Sequence, residues 1–132
     1  MDFINSNTKI PMTNEAPNPN TQVKYDLEER TAKFGEAMID FGKSLPFNEI
    51  TRPLVSQLIR AGTSVGANYM EADASSTKKD FHHKISLCRK EAKETRHWLR
   101  MVAHAVPASA NTARRLWREA QELVFIFSSI LK

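Results

Sequence analysis

The chain has 132 residues, 41% of them apolar and 26% charged, which leaves room for one soluble domain with a modest core. Only four glycines occur, which disfavours a turn-rich all-β fold and suits long helices with short connections. The formal net charge of +4 and isoelectric point near 9.4 admit an acidic partner such as RNA, DNA or an acidic protein face.

The lone cysteine, Cys88, excludes an internal disulfide and fits a reducing compartment. The N-terminus has neither the basic start nor the apolar core of a signal peptide. The longest dense apolar run, Leu123 to Phe127, falls far short of the ~20 residues a membrane helix needs. A cytoplasmic protein with no membrane partner is expected.

Residues 1–22 are rich in asparagine and proline and have no apolar period. Such a stretch cannot bury enough surface to offset its ordering entropy, so it is expected to be a disordered tail before a bundle over residues 23–132.

The first helix is predicted from about Lys24 to Ser44. Leu27, Thr31, Phe34, Met38, Phe41 and Leu45 alternate in steps of four and three and form one stripe. Pro46 ends it. The second helix is predicted to start near Thr51, read as its N-cap, with Pro53 in the first turn. Leu54, Leu58, Ala61, Val65, Asn68 and Ala72 form its stripe, and Val55, Ile59, Gly62, Gly66 and Tyr69 a second one. Asn68 in the stripe predicts a register-setting hydrogen bond to another helix, with Glu71, Glu91 and Glu94 as candidates. Gly62 and Gly66 each cost about 1 kcal/mol against alanine in a helix interior, so another backbone is expected to approach them. An oligomer interface is one such site.

The third helix is predicted from about Lys78 to His104, capped by Ser76 or Thr77 with Asp80 completing a capping box. Phe81, Ile85, Cys88, Ala92, Thr95, Leu99, Val102 and Val106 form its stripe, and Pro107 closes it. At about 100° per residue, Lys78, His82, Arg89, Lys93, Arg96 and Arg100 share the sector beside that stripe. Asp80, Glu91 and Glu94 lie on the opposite flank near Trp98, a flank that could meet a neighbouring subunit. The basic ridge spans about 33 Å at 1.5 Å per residue and could follow a phosphate backbone. An ordinary solvated helix face has the same composition.

The fourth helix is predicted from about Ser109 to Leu131. Leu116, Ala120, Leu123, Phe127 and Ile130 form its core stripe, while Trp117, Val124, Phe125, Ile126 and Leu131 widen the apolar surface. One bundle core does not need that width, so Trp117, Val124 and Phe125, with Gly62 and Gly66, are candidate oligomer-interface residues. The fold expected is all-α, an antiparallel up-down-up-down four-helix bundle. The competing architecture is a helical hairpin pair that completes its core by dimerising.

Catalytic and metal readings are weak. Glu94 and His97 match the Glu-x-x-His spacing of di-iron bundles, but such sites need two of these pairs plus two further glutamates, all facing inward. None of His82, His83, His97 and His104 lies in the core stripe. Cys88 does, and reads as an inert core thiol. No catalytic residue, metal site or cofactor is expected.

The stretch Gln57-Leu58-Ile59-Arg60-Ala61-Gly62-Thr63-Ser64-Val65-Gly66-Ala67-Asn68-Tyr69-Met70-Glu71-Ala72, followed by Asp80-Phe81, Lys90-Glu91-Ala92-Lys93-Glu94-Thr95 and Trp98-Leu99, resembles a known family. It is that of the four-helix bundle proteins named for intervening sequences in bacterial 23S ribosomal RNA genes. The accessory protein of diversity-generating retroelements is a more distant relative. The resemblance is close over the middle two helices and loose over the rest. It implies a four-helix subunit, assembly into a homopentameric ring and no catalysis. In the retroelement relatives a basic surface contacts nucleic acid and a reverse transcriptase. Two departures are Ala72 where many members carry glycine, and the polar N-terminal segment. Two functions compete: RNA or DNA binding through the ridge Lys78, His82, Arg89, Lys93, Arg96 and Arg100, or a protein-interaction scaffold displaying Trp98, Trp117 or the fourth-helix apolar strip.

Overall fold

A computed structural model describes residues 19–132, with side chains from Leu27 onward. It shows the four expected helices: α1 (Pro19–Lys43), α2 (Thr51–Asp73), α3 (Lys78–Ala105) and α4 (Ala110–Ile130), with a single 3-10 turn, Pro107–Ser109, before α4. Consecutive helices pack against each other in an antiparallel bundle, and the edge between α1 and α4 is the loosest of the four. Residues 1–18 of the expected tail lie outside the described residues. Its last residues do not behave as expected, since α1 begins at Pro19 rather than near Lys24. A proline in the first helical turn loses no hydrogen bond that the turn could have made.

The stripes read from the sequence meet at the bundle axis. Leu27, Phe34, Met38, Leu58, Val65, Ile85, Leu99, Val102, Leu123 and Phe127 are all essentially inaccessible. Polar members of the stripes are satisfied within their own helices. Thr31 Oγ1 donates to the Leu27 carbonyl and Thr95 Oγ1 to the Glu91 carbonyl, both at 2.7 Å. This is the usual back-bond of a hydroxyl in a helix.

The links explain the helix ends. Thr77 caps α3 as expected, its Oγ1 accepting from the Asp80 N–H at 3.1 Å. Thr51 is not the cap of α2. Asn48 takes that role, its Oδ1 accepting from the N–H groups of Ile50 at 2.9 Å and Thr51 at 3.0 Å. Thr51 Oγ1 instead accepts from the Asn48 N–H at 3.0 Å and donates to the Pro46 carbonyl, tying the loop together.

All four glycines of the chain serve one seam, between α1 and α2. A Cβ on Gly62 would lie 2.4 Å from Met38 Cγ, and one on Gly66 would lie 3.3 Å from the Thr31 carbonyl oxygen. Gly35 and Gly42 approach Thr63 and Ile59 from the other side. The backbone expected to approach Gly62 and Gly66 is therefore α1 of the same subunit, so their close packing is explained within one chain.

Where α1 meets α4, a buried ion pair spans the gap. Arg30 Nε donates to Glu119 Oε2 at 2.7 Å and Nη2 to Oε1 at 2.9 Å. Arg30 is 8% exposed and Glu119 not at all. Glu122 adds a second carboxylate, 3.9 Å from Arg30 Nη2.

Stability measurements test both seams. Gly62→Ala should lower stability by about 1–2 kcal/mol, because overpacking against Met38 outweighs the gain in helix propensity. Gly35→Ala, whose Cβ would meet only ordinary contacts from 3.4 Å outward, should raise it by up to about 1 kcal/mol. Urea titration separates the two. Glu119→Leu alone should cost about 3–5 kcal/mol by stranding Arg30, and the double change Arg30→Met with Glu119→Leu should recover most of that loss. A double-mutant cycle in urea checks it.

Candidate nucleic-acid interface

Helix α3 carries charge of opposite sign on its two flanks, and the structure gives the flanks different fates. The acidic flank turns toward α2. Glu91 lies 3.4 Å from Arg60 Nη1, and Glu94 pairs with Arg60 Nη2 and accepts from Trp98 Nε1 at 2.9 Å. Glu91 and Glu94 are thus engaged within the subunit by Arg60, while Asp80 stays exposed at the start of the helix. Beside it Glu71 accepts from Lys84 Nζ at 2.6 Å, and that bond, with the charge of Glu71, holds the ammonium above its ordinary range.

The basic flank turns toward α4. Lys78, Lys93 and Arg100 are exposed; His82, Arg89 and Arg96 are half-buried. His82 lies beside the Phe81 ring, centroids 6.0 Å apart. Arg89 Nη1 donates to Ser128 Oγ at 3.3 Å, and Arg96 Nη1 donates to Gln121 Oε1. The Arg96 guanidinium also lies 5.5 Å from the centroid of the Trp117 ring. Arg89 and Arg96 thus meet only neutral groups of α4. Among the described residues none of the ridge cations is paired with a carboxylate.

The structure extends this basic surface beyond what the α3 stripe revealed. Arg114, Arg115 and Arg118 are exposed on α4. Arg114 and Arg100 flank a groove between α3 and α4 whose remaining lining is Leu99, Ala103, Ala113 and Trp117. From Lys78 to the C-terminus the chain has twelve lysines and arginines against five aspartates and glutamates. The three α4 arginines recur at steps of one and three, a one-sided signal present in the sequence.

Other residues singled out from the sequence are placed differently from expectation. Asn68 is half-buried and its Nδ2 donates to the Ser64 carbonyl one turn earlier at 3.0 Å, so it makes no register bond with Glu71, Glu91 or Glu94. Glu71 does bridge helices, through Lys84. Val124 is a core residue, only 6% exposed, which corrects its assignment to an interface. Trp117 and Phe125 remain accessible, at 37% and 59%.

Cys88 is fully buried, and burial pushes its thiol up to about 12, so the thiolate that would react is scarce at neutral pH. Burial, with Asp73 and Glu28 nearby, likewise raises the Tyr69 phenol above its ordinary value. Glu94 is engaged by Arg60 and Trp98. Among the described residues no three His, Cys, Asp or Glu side chains converge in a group that could hold a metal ion. No helix among them is long and apolar enough to cross a membrane.

Residues 24–129 match the family model of the 23S rRNA-intervening sequence protein. The chain belongs to that family. The fold agrees with a crystal structure of a protein with unknown function from the S23 ribosomal protein family of Bacteroides thetaiotaomicron. The two are 24% identical with a TM-score of 0.76, over 83% of this chain and 97% of that one. At that identity the likeness establishes the four-helix fold alone. No curated protein matches the chain. The range matched to the 23S rRNA-intervening sequence protein family includes Gln57–Ala72, whose Gly62 and Gly66 seat α2 against α1.

Proposed function

We propose that this family member is a non-enzymatic, cytoplasmic, homo-oligomeric bundle protein that binds RNA through the basic face formed by α3 and α4. One observation carries the reading. Glu91 and Glu94 of α3 are engaged by Arg60, while the cations of the ridge face meet only neutral groups or solvent. Unneutralised cations along about 33 Å of helix match a run of phosphates and release counterions when they bind it. Phosphate contacts of this kind position a strand without reading its sequence.

Assembly into a ring of five is part of the proposal, on the strength of the family resemblance. Exposed Phe125, together with Ile39 and Met70 on the α1–α2 side, supplies apolar surface for contacts between copies. A protein-scaffold reading has its own support at one end of the bundle. There Phe47 and Ile50 are 82% and 66% exposed beside Pro46 and Pro107. Copurification with and without nuclease separates the two readings.

The triple variant Lys78→Gln, Arg89→Gln, Lys93→Gln leaves the core untouched. Its RNA affinity at low salt should fall at least tenfold, and the slope of log affinity against log salt should flatten by about 2. Filter binding across a salt series measures both; an unchanged slope and affinity overturn the ridge as the contact surface.

A further inference from the structure

The groove between α3 and α4 differs from the rest of the basic face. Its floor is apolar, made by Leu99, Ala103 and Ala113. One wall is the Trp117 indole, exposed enough to be touched and held from outside the groove by the Arg96 guanidinium at 5.5 Å. Its rims are two exposed guanidinium groups, Arg100 from α3 and Arg114 from α4. Arg114 is oriented by a bond from Nη1 to Asn111 Oδ1 at 3.0 Å.

A phosphate backbone alone needs none of the apolar floor or the aromatic wall. A paired duplex keeps its bases inside and cannot use them. An unpaired base can use both, since its face stacks on an aromatic ring and its flanking phosphates meet the arginines. The Arg96 guanidinium already placed against the indole adds to the stacking platform.

We propose that this groove holds one unpaired nucleotide of single-stranded RNA, its base against Trp117 and its phosphates at Arg100 and Arg114. RNA rather than DNA is the source because loops and bulges present such bases without melting a duplex. The inference rests on the RNA-binding reading above and adds a preference to it. The ridge gives affinity for any phosphate strand, and the groove makes an unpaired strand the favoured one. Trp117 becomes a ligand contact rather than an oligomer contact.

The test uses the full chain in a Trp98→Phe background, so that Trp117 is the only tryptophan. The probes are a 12-nucleotide oligouridylate and a 12-base-pair RNA duplex. Oligouridylate should quench Trp117 emission in step with binding, and the duplex should not. Trp117→Ala should weaken oligouridylate binding about tenfold and leave duplex binding unchanged, while Trp117→Phe should restore most of the loss. A merely structural role for the ring would move both probes together, and that result overturns the inference. So does emission that changes with protein concentration but not with oligouridylate, which would place Trp117 between protein copies. If both probes bind equally and Trp117→Ala alters neither, the groove is not a base site, yet the ridge reading stands on the salt slope of the triple variant. If neither probe binds, both readings fall.

Discussion

The Arg30–Glu119 pair is the constraint on which the closure of the bundle depends. Three edges of the bundle are zipped by apolar stripes, but the α1–α4 edge is the loosest, and there the chain places two opposite charges out of water. Burying either charge alone would be prohibitive, so the pair is tolerable only in a geometry that satisfies both partners at once. The bidentate contact meets that requirement and admits little sliding of α1 along α4. The pair therefore fixes register more than it adds stability. Its counterpart is the glycine seam on the other side of α1, where the close approach to α2 leaves Gly62 no space for a side chain and Gly66 little. Helix α1 is clamped by charge on one side and by contact on the other.

Helix α3 lies between two neighbours and carries the charge asymmetry. It packs extensively on both α2 and α4, and its polar residues must face one or the other. Toward α2, Glu91 and Glu94 share the Arg60 guanidinium. Toward α4 they meet Ser128, Gln121 and an indole, none of which carries charge. The asymmetry of the whole molecule follows from that local difference. Adding Arg114, Arg115 and Arg118 extends the positive surface across two helices and around a groove. An isolated solvated helix face would not need a second helix to continue its charge.

Much of the fold was legible because a helical stripe is a one-dimensional property. Leu27 to Phe41, Leu58 to Ala72 and Ile85 to Val102 needed only the 3.6-residue period, and Pro46 and Pro107 marked the breaks. What escaped depends on which helix covers which face. Arg30 falls three residues after Leu27 and four before Phe34, and Glu119 lies three after Leu116 and four before Leu123. Each charge therefore occupies a core position, and the opposite signs form a signal that periodicity alone treats as noise. Gly62 and Gly66 were seen to need a close neighbour, but only the structure shows that neighbour to be α1. Asn68 misled because an amide can satisfy itself one turn back along its own helix. In the candidate site, the α3 ridge was legible and the α4 arginines were visible as a cluster, but a stripe on one helix does not reveal that its neighbour continues it.

Whether RNA lies on the α3–α4 face can be read within one sample by lysine acetylation footprinting of the native protein, with and without RNA. Lys78, Lys90 and Lys93 are exposed on α3, and Lys43 is exposed on α1 as an internal control. With RNA on that face, Lys78 and Lys93 should be protected severalfold while Lys43 reacts as before. Protection of Lys43 with no change at Lys78 and Lys93 would contradict that placement.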